Sequence, residues 1–157
     1  MKTRKYKIFC FCLISIFFLM SVEVFGDVEA TGKVQIQASK SDNGRVSFNL
    51  TVENDSVRGS FTYSDEDGSE SSSGSIKYVE LDGSYVWFAG KFDSGADELN
   101  GKWFFVLAHD GGKPGQNFDH IWIEWLSDGK EAKSKVDNFD RPKDNKKIFS
   151  GNIDISS

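Results

Sequence analysis

Apolar and polar residues alternate along most of the chain after residue 27. Between Arg45 and Glu53, for example, every second residue is apolar. This period of two is typical of a β-strand with one buried face. We predict the same kind of strand beginning at Val34 and over 60–64, 75–81, 85–92, 102–109, 121–127, 132–136 and 147–155. No segment has a convincing amphipathic helical pattern, so we expect an all-β fold, a single antiparallel β-sandwich or barrel of about eight to ten strands.

Two of these strands depart from the alternation. Residues 103–108 are apolar on both faces, and residues 121–126 are nearly so. Such strands belong at the centre of a fold or beneath a covering segment. They flank one loop and are therefore predicted to pair as a hairpin. In one register His109 lies opposite His120, whereas a slip of one residue would move the side chains of one strand to the other face. We also expect the first and last strands to pair, because such pairing covers an exposed sheet edge.

Two connections have distinct compositions. Asp82 and Gly83 tolerate positive φ and predict a two-residue hairpin turn. Residues 64–74 are acidic and serine-rich, and we expect a loop there that buries no apolar surface.

The N-terminus has the pattern of a secretory signal peptide. Four basic residues precede an apolar run over residues 8–20, and a cleavage point after Gly26 is plausible. The run is shorter than the ~18 residues that a membrane-spanning helix needs. We therefore expect a signal peptide over 1–26, a single all-β domain over 27–157, and a secreted, periplasmic or otherwise extracytoplasmic protein without membrane insertion after cleavage.

Charge and cysteine content narrow the function classes. The chain has 19 basic and 24 acidic residues, of which four basic residues and one acidic residue lie in the predicted signal peptide. The remaining chain therefore has 15 basic and 23 acidic residues and a formal net charge of −8. That balance argues against nucleic acid as a partner, because phosphate contacts require basic patches. Both cysteines, Cys10 and Cys12, lie in the signal peptide, so the remaining chain has no disulfide. A glycan or an extracellular protein is the expected kind of partner.

The loop between the two apolar strands holds the candidate metal ligands. His109, His120, Asp110 and Asp119 combine imidazole and carboxylate groups, which suit zinc or another transition ion. The two aspartates with neighbouring glycine carbonyls could instead serve calcium. The alternative is structural: aspartates in turns commonly accept hydrogen bonds from loop amides, and the histidines would then be solvent-exposed residues at the edge of the loop.

Aromatic residues supply the second set of candidates. Most large aromatic residues of a small β domain belong to its core. Tyr85 and Trp87 share a strand face and are the better candidates for exposure, where flat rings could stack on sugars. Glu124 stands between tryptophans and could act as a general acid if buried. The chain has no Gly-x-Ser-x-Gly motif for a serine nucleophile.

Several segments together resemble the post-COAP domain family of secreted bacterial proteins. Residues 59–65 resemble its Gly-x-x-x-Tyr-x-Asp strand, residues 83–90 its Gly-x-x-Ala-x-Phe-x-Gly segment, and residues 150–153 its closing Ser-Gly-Asn-Ile strand. The most specific match is Asp110 to Gly115 followed by Asp119. The resemblance implies a small, exported, all-β domain without an assigned reaction. It includes both aspartates but neither histidine, and Lys113 replaces a frequent acid, which disfavours calcium.

The sequence thus favours a non-catalytic secreted module that binds a surface or a partner. The loop and exposed-aromatic candidates for binding are Asp110, Asp119, Tyr85 and Trp87. No cofactor is expected, with calcium or zinc as the alternative. Two other function classes stay open: a metal-assisted extracellular hydrolase using the histidines and aspartates of the loop, and a purely structural envelope component.

Overall fold

A computed structural model describes residues 28–37, 43–113 and 118–156. The predicted signal peptide and residues 114–117 of the loop lie outside this range. The described residues form nine strands and one helix: β1 (Val28–Gln37), β2 (Asn43–Glu53), β3 (Ser56–Asp65), β4 (Ser71–Asp82), β5 (Tyr85–Ser94), β6 (Trp103–His109), β7 (His120–Leu126), α1 (Gly129–Asp137), β8 (Asp144–Lys146) and β9 (Ile148–Ser156). Among these residues no helix is both long and apolar enough to cross a membrane.

The nine strands form a single antiparallel sheet that curls into a nearly closed barrel. Their order is β8-β7-β6-β5-β4-β3-β2-β1-β9, so consecutive strands are neighbours from β1 to β8. The last strand, β9, pairs with the first, β1, with Ile155 opposite Ala30. The prediction of an all-β barrel or sandwich is confirmed, as is the pairing of the first and last strands.

The apolar residues of the alternating strands fill the barrel interior. Phe61 lies at the centre, with its ring stacked on Phe104 at 4.6 Å and within 6.1 Å of Phe92 between ring centroids. The inward residues of β1 and β2 are buried beside them. Burial of this face supplies the main driving force for the fold.

A second apolar cluster lies on the outer face of β5 and β6. Phe105 and Leu107 of β6 are buried there under α1, which contributes Ala132 and Val136. This helix explains why residues 103–108 are apolar on both faces, and it confirms the expectation of a covering segment for these strands.

The helix itself corrects the sequence prediction, which placed a strand at residues 132–136 and no helix. Asp128 caps α1, because its side chain accepts a hydrogen bond of 3.1 Å from the backbone N–H of Lys130. Only Ala132 and Val136 are buried, four residues apart on one side of the helix. Two apolar positions form too narrow a stripe to indicate a helix, and the packing against β5 and β6 decides the conformation.

The loop within the acidic, serine-rich segment 64–74 is shorter than predicted. Strand β3 continues to Asp65 and β4 begins at Ser71, so only five residues connect them. Ser72 is buried, and its hydroxyl accepts a hydrogen bond from the N–H of Ala96. Gly74 lies so close to the β5 backbone that a Cβ would meet the Lys91 carbonyl. Local packing thus makes a strand from residues whose composition indicates a loop.

Candidate functional site

Asp119 of the central loop fastens the last strand of the barrel. One carboxylate oxygen accepts a hydrogen bond of 2.9 Å from the backbone N–H of Ile153, and the other accepts one of 3.1 Å from Gly111. The residue is only 2% exposed. Its carboxylate therefore has two backbone donors in a buried position, which is how a buried charge is stabilised.

Asp110 also binds the backbone of β9, at Ile155, two residues after the contact of Asp119. Its carboxylate accepts a hydrogen bond of 3.2 Å from Ile155 and one of 2.6 Å from Gly112. Residues 153 and 155 are two apart in a strand, so their N–H groups point to the same side. The two carboxylates thus take the place of a neighbouring strand along this edge of β9. The interpretation of these aspartates as acceptors of backbone hydrogen bonds is confirmed.

The two histidines face each other, in the register that the sequence left open. His109 lies directly opposite His120 in the β6–β7 pair. Their ring centroids are 5.8 Å apart with planes inclined by 27°, and Tyr85 stacks on the other face of His109 at 4.2 Å. The three rings form a row across β5, β6 and β7. His120 is exposed at one end of the row, whereas Tyr85 and His109 are half-buried.

A metal centre would need more than this histidine pair. Within the described part of the chain, no three His, Cys, Asp or Glu side chains come together in a group that could hold a metal ion. The buried Nδ1 of His109 makes no hydrogen bond to a described residue. Asp110 and Asp119 direct their oxygens to backbone N–H groups, so the four predicted ligands do not converge on one point.

Trp87 lies in a different place from the one predicted. It is only 8% exposed, donates a hydrogen bond of 2.9 Å from its indole N–H to the Asp140 carbonyl, and has Phe139 against its ring. The expectation of exposure is therefore wrong for Trp87, because the chain after α1 folds back over it. Tyr85 is half-buried. Phe139 is 45% exposed, and Trp122 is half-buried with Arg141 above its ring.

Glu124 is the candidate acid on the outer face of β7. Its side chain is only 10% exposed and forms ion pairs with Lys135 of α1 at 3.4 Å and with Lys143 at 3.5 Å. Among the described residues, Lys135 and Lys143 form these ion pairs with no other carboxylate. A glycosidase mechanism would need a second carboxylate across a cleft.

The opposite side of the barrel contains a surface that the sequence did not indicate. The outer face of β9, β1, β2 and β3 carries two adjoining cavities of about 530 and 430 Å³, which share Lys33 and Ser47. We call this surface the polar trough. Its side chains are short amides and hydroxyls together with two cations: Thr31, Lys33, Gln35, Arg45, Ser47, Asn49, Ser60, Thr62, Ser64, Ser150 and Asn152.

The strand register assembles the trough from residues far apart in the chain. Lys33 lies opposite Asn152 on one side and Ser47 on the other, and Ser47 lies opposite Thr62. Ser47 and Thr62 are half-buried, whereas Lys33 is exposed. The short side chains of Ser47 and Thr62 therefore leave a depression beside the long side chain of Lys33. Each strand alone reads as an ordinary polar face, so only the cross-strand pairing could reveal the surface.

No family model, curated protein or solved structure matches this chain.

Proposed function

We propose that this protein is a non-catalytic extracellular module that binds a partner through the polar trough. The observation that carries the proposal is the contrast between the two sides of the barrel. The acidic groups of the candidate site are engaged by backbone N–H groups or lysines, whereas the trough is an open surface of hydrogen-bonding side chains. Such a surface matches a hydroxyl-rich ligand, and we therefore favour a glycan over a protein.

The shape of the trough supports a binding role. Its two cavities adjoin along the sheet, so an extended ligand can contact both. Some of its polar groups are pre-ordered: Asn49 accepts a hydrogen bond of 2.7 Å from the Ser60 hydroxyl, and Ser150 donates one of 2.9 Å to Gln35. Ordering side chains before binding lowers the entropic cost of association.

Sequence features support an extracellular setting. The N-terminal pattern is that of a signal peptide, and the resemblance to post-COAP domains implies an exported domain without an assigned reaction. The placement of Asp110 and Asp119, the residues of the most specific motif, gives that motif a structural reason in this chain. We propose membership of this family on that basis.

A glycan array with the purified protein tests the proposal. We expect binding that is lost in Ser47→Tyr, because a ring at this half-buried position fills the trough. Ser127→Tyr, an exposed serine just before α1, is the matched control and should bind as the unchanged protein does. Circular dichroism would show that both variants are folded. A blank array with folded protein, or turnover of a chromogenic glycoside, would overturn the proposal.

A further inference from the structure

We infer that the polar trough selects a carboxylated polysaccharide, such as a polymer of uronic acids. This inference rests on the proposed function and adds the chemical class of the ligand. It follows from the charges within the trough, which differ in sign from the protein as a whole.

The two cations of the trough are neighbours on adjacent strands. Lys33 of β1 lies opposite Ser47, and Arg45 stands two residues before Ser47 on the same strand face. Such diagonal neighbours have Cα atoms about 7–8 Å apart. Both side chains are exposed, so their charged ends can reach one ligand.

Neither cation has an acidic partner among the described residues. The ion pairs among the described residues involve four other lysines: Lys133, Lys135, Lys143 and Lys146. No Asp or Glu lines either cavity of the trough. Two acids lie at its margins: Glu66 lines a smaller cavity that also borders Arg45, and the exposed Asp154 lies on β9 opposite Thr31. Two unpaired cations in a chain with a formal net charge of −5 form a local site for an anion.

The neutral residues of the trough define the rest of the ligand. Serine and threonine hydroxyls donate and accept hydrogen bonds, and amide side chains such as Asn152 do both as well. Sugar hydroxyls are the complementary groups. The guanidinium of Arg45 presents parallel N–H donors that match a carboxylate in two hydrogen bonds. Anionic charge and repeated hydroxyls occur together in a uronic-acid polymer.

Binding of polygalacturonate to the purified protein, measured by calorimetry at low ionic strength, tests the inference. We expect Arg45→Gln and Lys33→Gln each to weaken binding by about tenfold, the loss that corresponds to one charged contact. Lys130→Gln, on the helix at the other side of the barrel, is the matched control and should leave affinity unchanged. Dextran and dextran sulfate are the comparison polymers.

The outcomes separate this inference from the proposed function. Preferential binding of polygalacturonate over both comparison polymers, weakened about tenfold in Arg45→Gln, supports the inference. Binding of neutral dextran that is lost in Ser47→Tyr but kept in Arg45→Gln overturns the choice of ligand and leaves the trough as the binding surface. Equal binding of dextran sulfate shows a general polyanion site and overturns the carboxylate assignment. Absence of binding to any polymer, together with a blank glycan array, overturns both.

Discussion

The carboxylate of Asp119 accepts a hydrogen bond of 2.9 Å from the backbone N–H of Ile153, 34 residues further along the chain. This bond joins the start of β7 to β9, the strand at the other end of the sheet order. At the free edge of β9, where no described strand pairs with it, the carboxylates of Asp119 and Asp110 accept its backbone hydrogen bonds and so nearly close the barrel. Asp119, which belongs to the most specific motif of the sequence, thus helps to hold β9 in the barrel.

We expect Asp119→Ala to lower the free energy of unfolding by about 3 kcal/mol. The substitution leaves the N–H of Ile153 buried without its acceptor, and an unsatisfied buried donor costs about 1–3 kcal/mol in addition to the lost charged bond. Urea unfolding measures the change. Asp154→Ala, an exposed acid on β9, should shift stability by less than about 0.5 kcal/mol. Equal losses in the two variants would contradict the role assigned to Asp119.

Acid sensitivity should depend in part on Asp93. Its carboxylate accepts hydrogen bonds from the Ser75 hydroxyl at 2.6 Å and the Ser75 N–H at 3.0 Å, and these hold its pKa below the ordinary value of 3.8. A lowered folded-state pKa means that this contribution to stability is present above the unfolded-state pKa. It disappears as the pH falls through the lower, folded-state pKa.

Stability measured from pH 6 to pH 2 checks this expectation. Asp93→Asn should be less stable than the unchanged protein at pH 6, and the difference should shrink below the ordinary aspartate pKa. Ser75→Ala should reproduce part of the effect, because the hydroxyl of Ser75 is the largest cause of the lowered pKa. A difference that stays constant across the range would refute the assignment.

Helix α1 depends on its N-terminal cap. Asp128→Ala removes the acceptor for the N–H of Lys130 and should destabilise the protein by about 1 kcal/mol. Because α1 covers the outer face of β5 and β6, tryptophan fluorescence from the nearby Trp87 and Trp103 should report the loosening. Lys130→Ala keeps the backbone N–H and the cap, and we expect it to leave both readouts nearly unchanged.

Metal removal should leave the fold intact. The oxygens of Asp110 and Asp119 hold β9 directly through backbone N–H groups, so no ion is needed to link the loop to the strand. We expect the same melting temperature with and without a chelator. Stoichiometric zinc in the purified protein that is lost in His109→Ala, with a lowered melting temperature, would instead favour a metal centre at the histidine pair.

Local patterns in the sequence predict most of the strands and several of their pairings. The alternation of apolar residues indicates strands wherever one face is buried. The apolar strands around the central loop predict the β6–β7 hairpin, and the structure selects the register with His109 opposite His120. In strands with one apolar face, a register shifted by one residue would turn that face to solvent. Strand β6 is apolar on both faces, so its burial pattern alone does not fix its register.

The hairpin between β4 and β5 turns one residue later than Asp82 and Gly83 predicted. Asp82 belongs to β4 and pairs with Tyr85. The two turn residues are therefore Gly83, with a φ of +58°, and Ser84.

Features that depend on contacts between distant parts of the chain follow from the packed barrel and not from local patterns. Residues 129–137 are helical because their two apolar side chains find the outer face of β5 and β6, and Trp87 is buried because Phe139 and Asp140 fold over it. The polar trough exists because four strands align short side chains beside Lys33 and Arg45. Local periodicity contains no record of which strand faces will meet. The partner of Asp119 and the candidate binding surface therefore follow from the closure of the barrel.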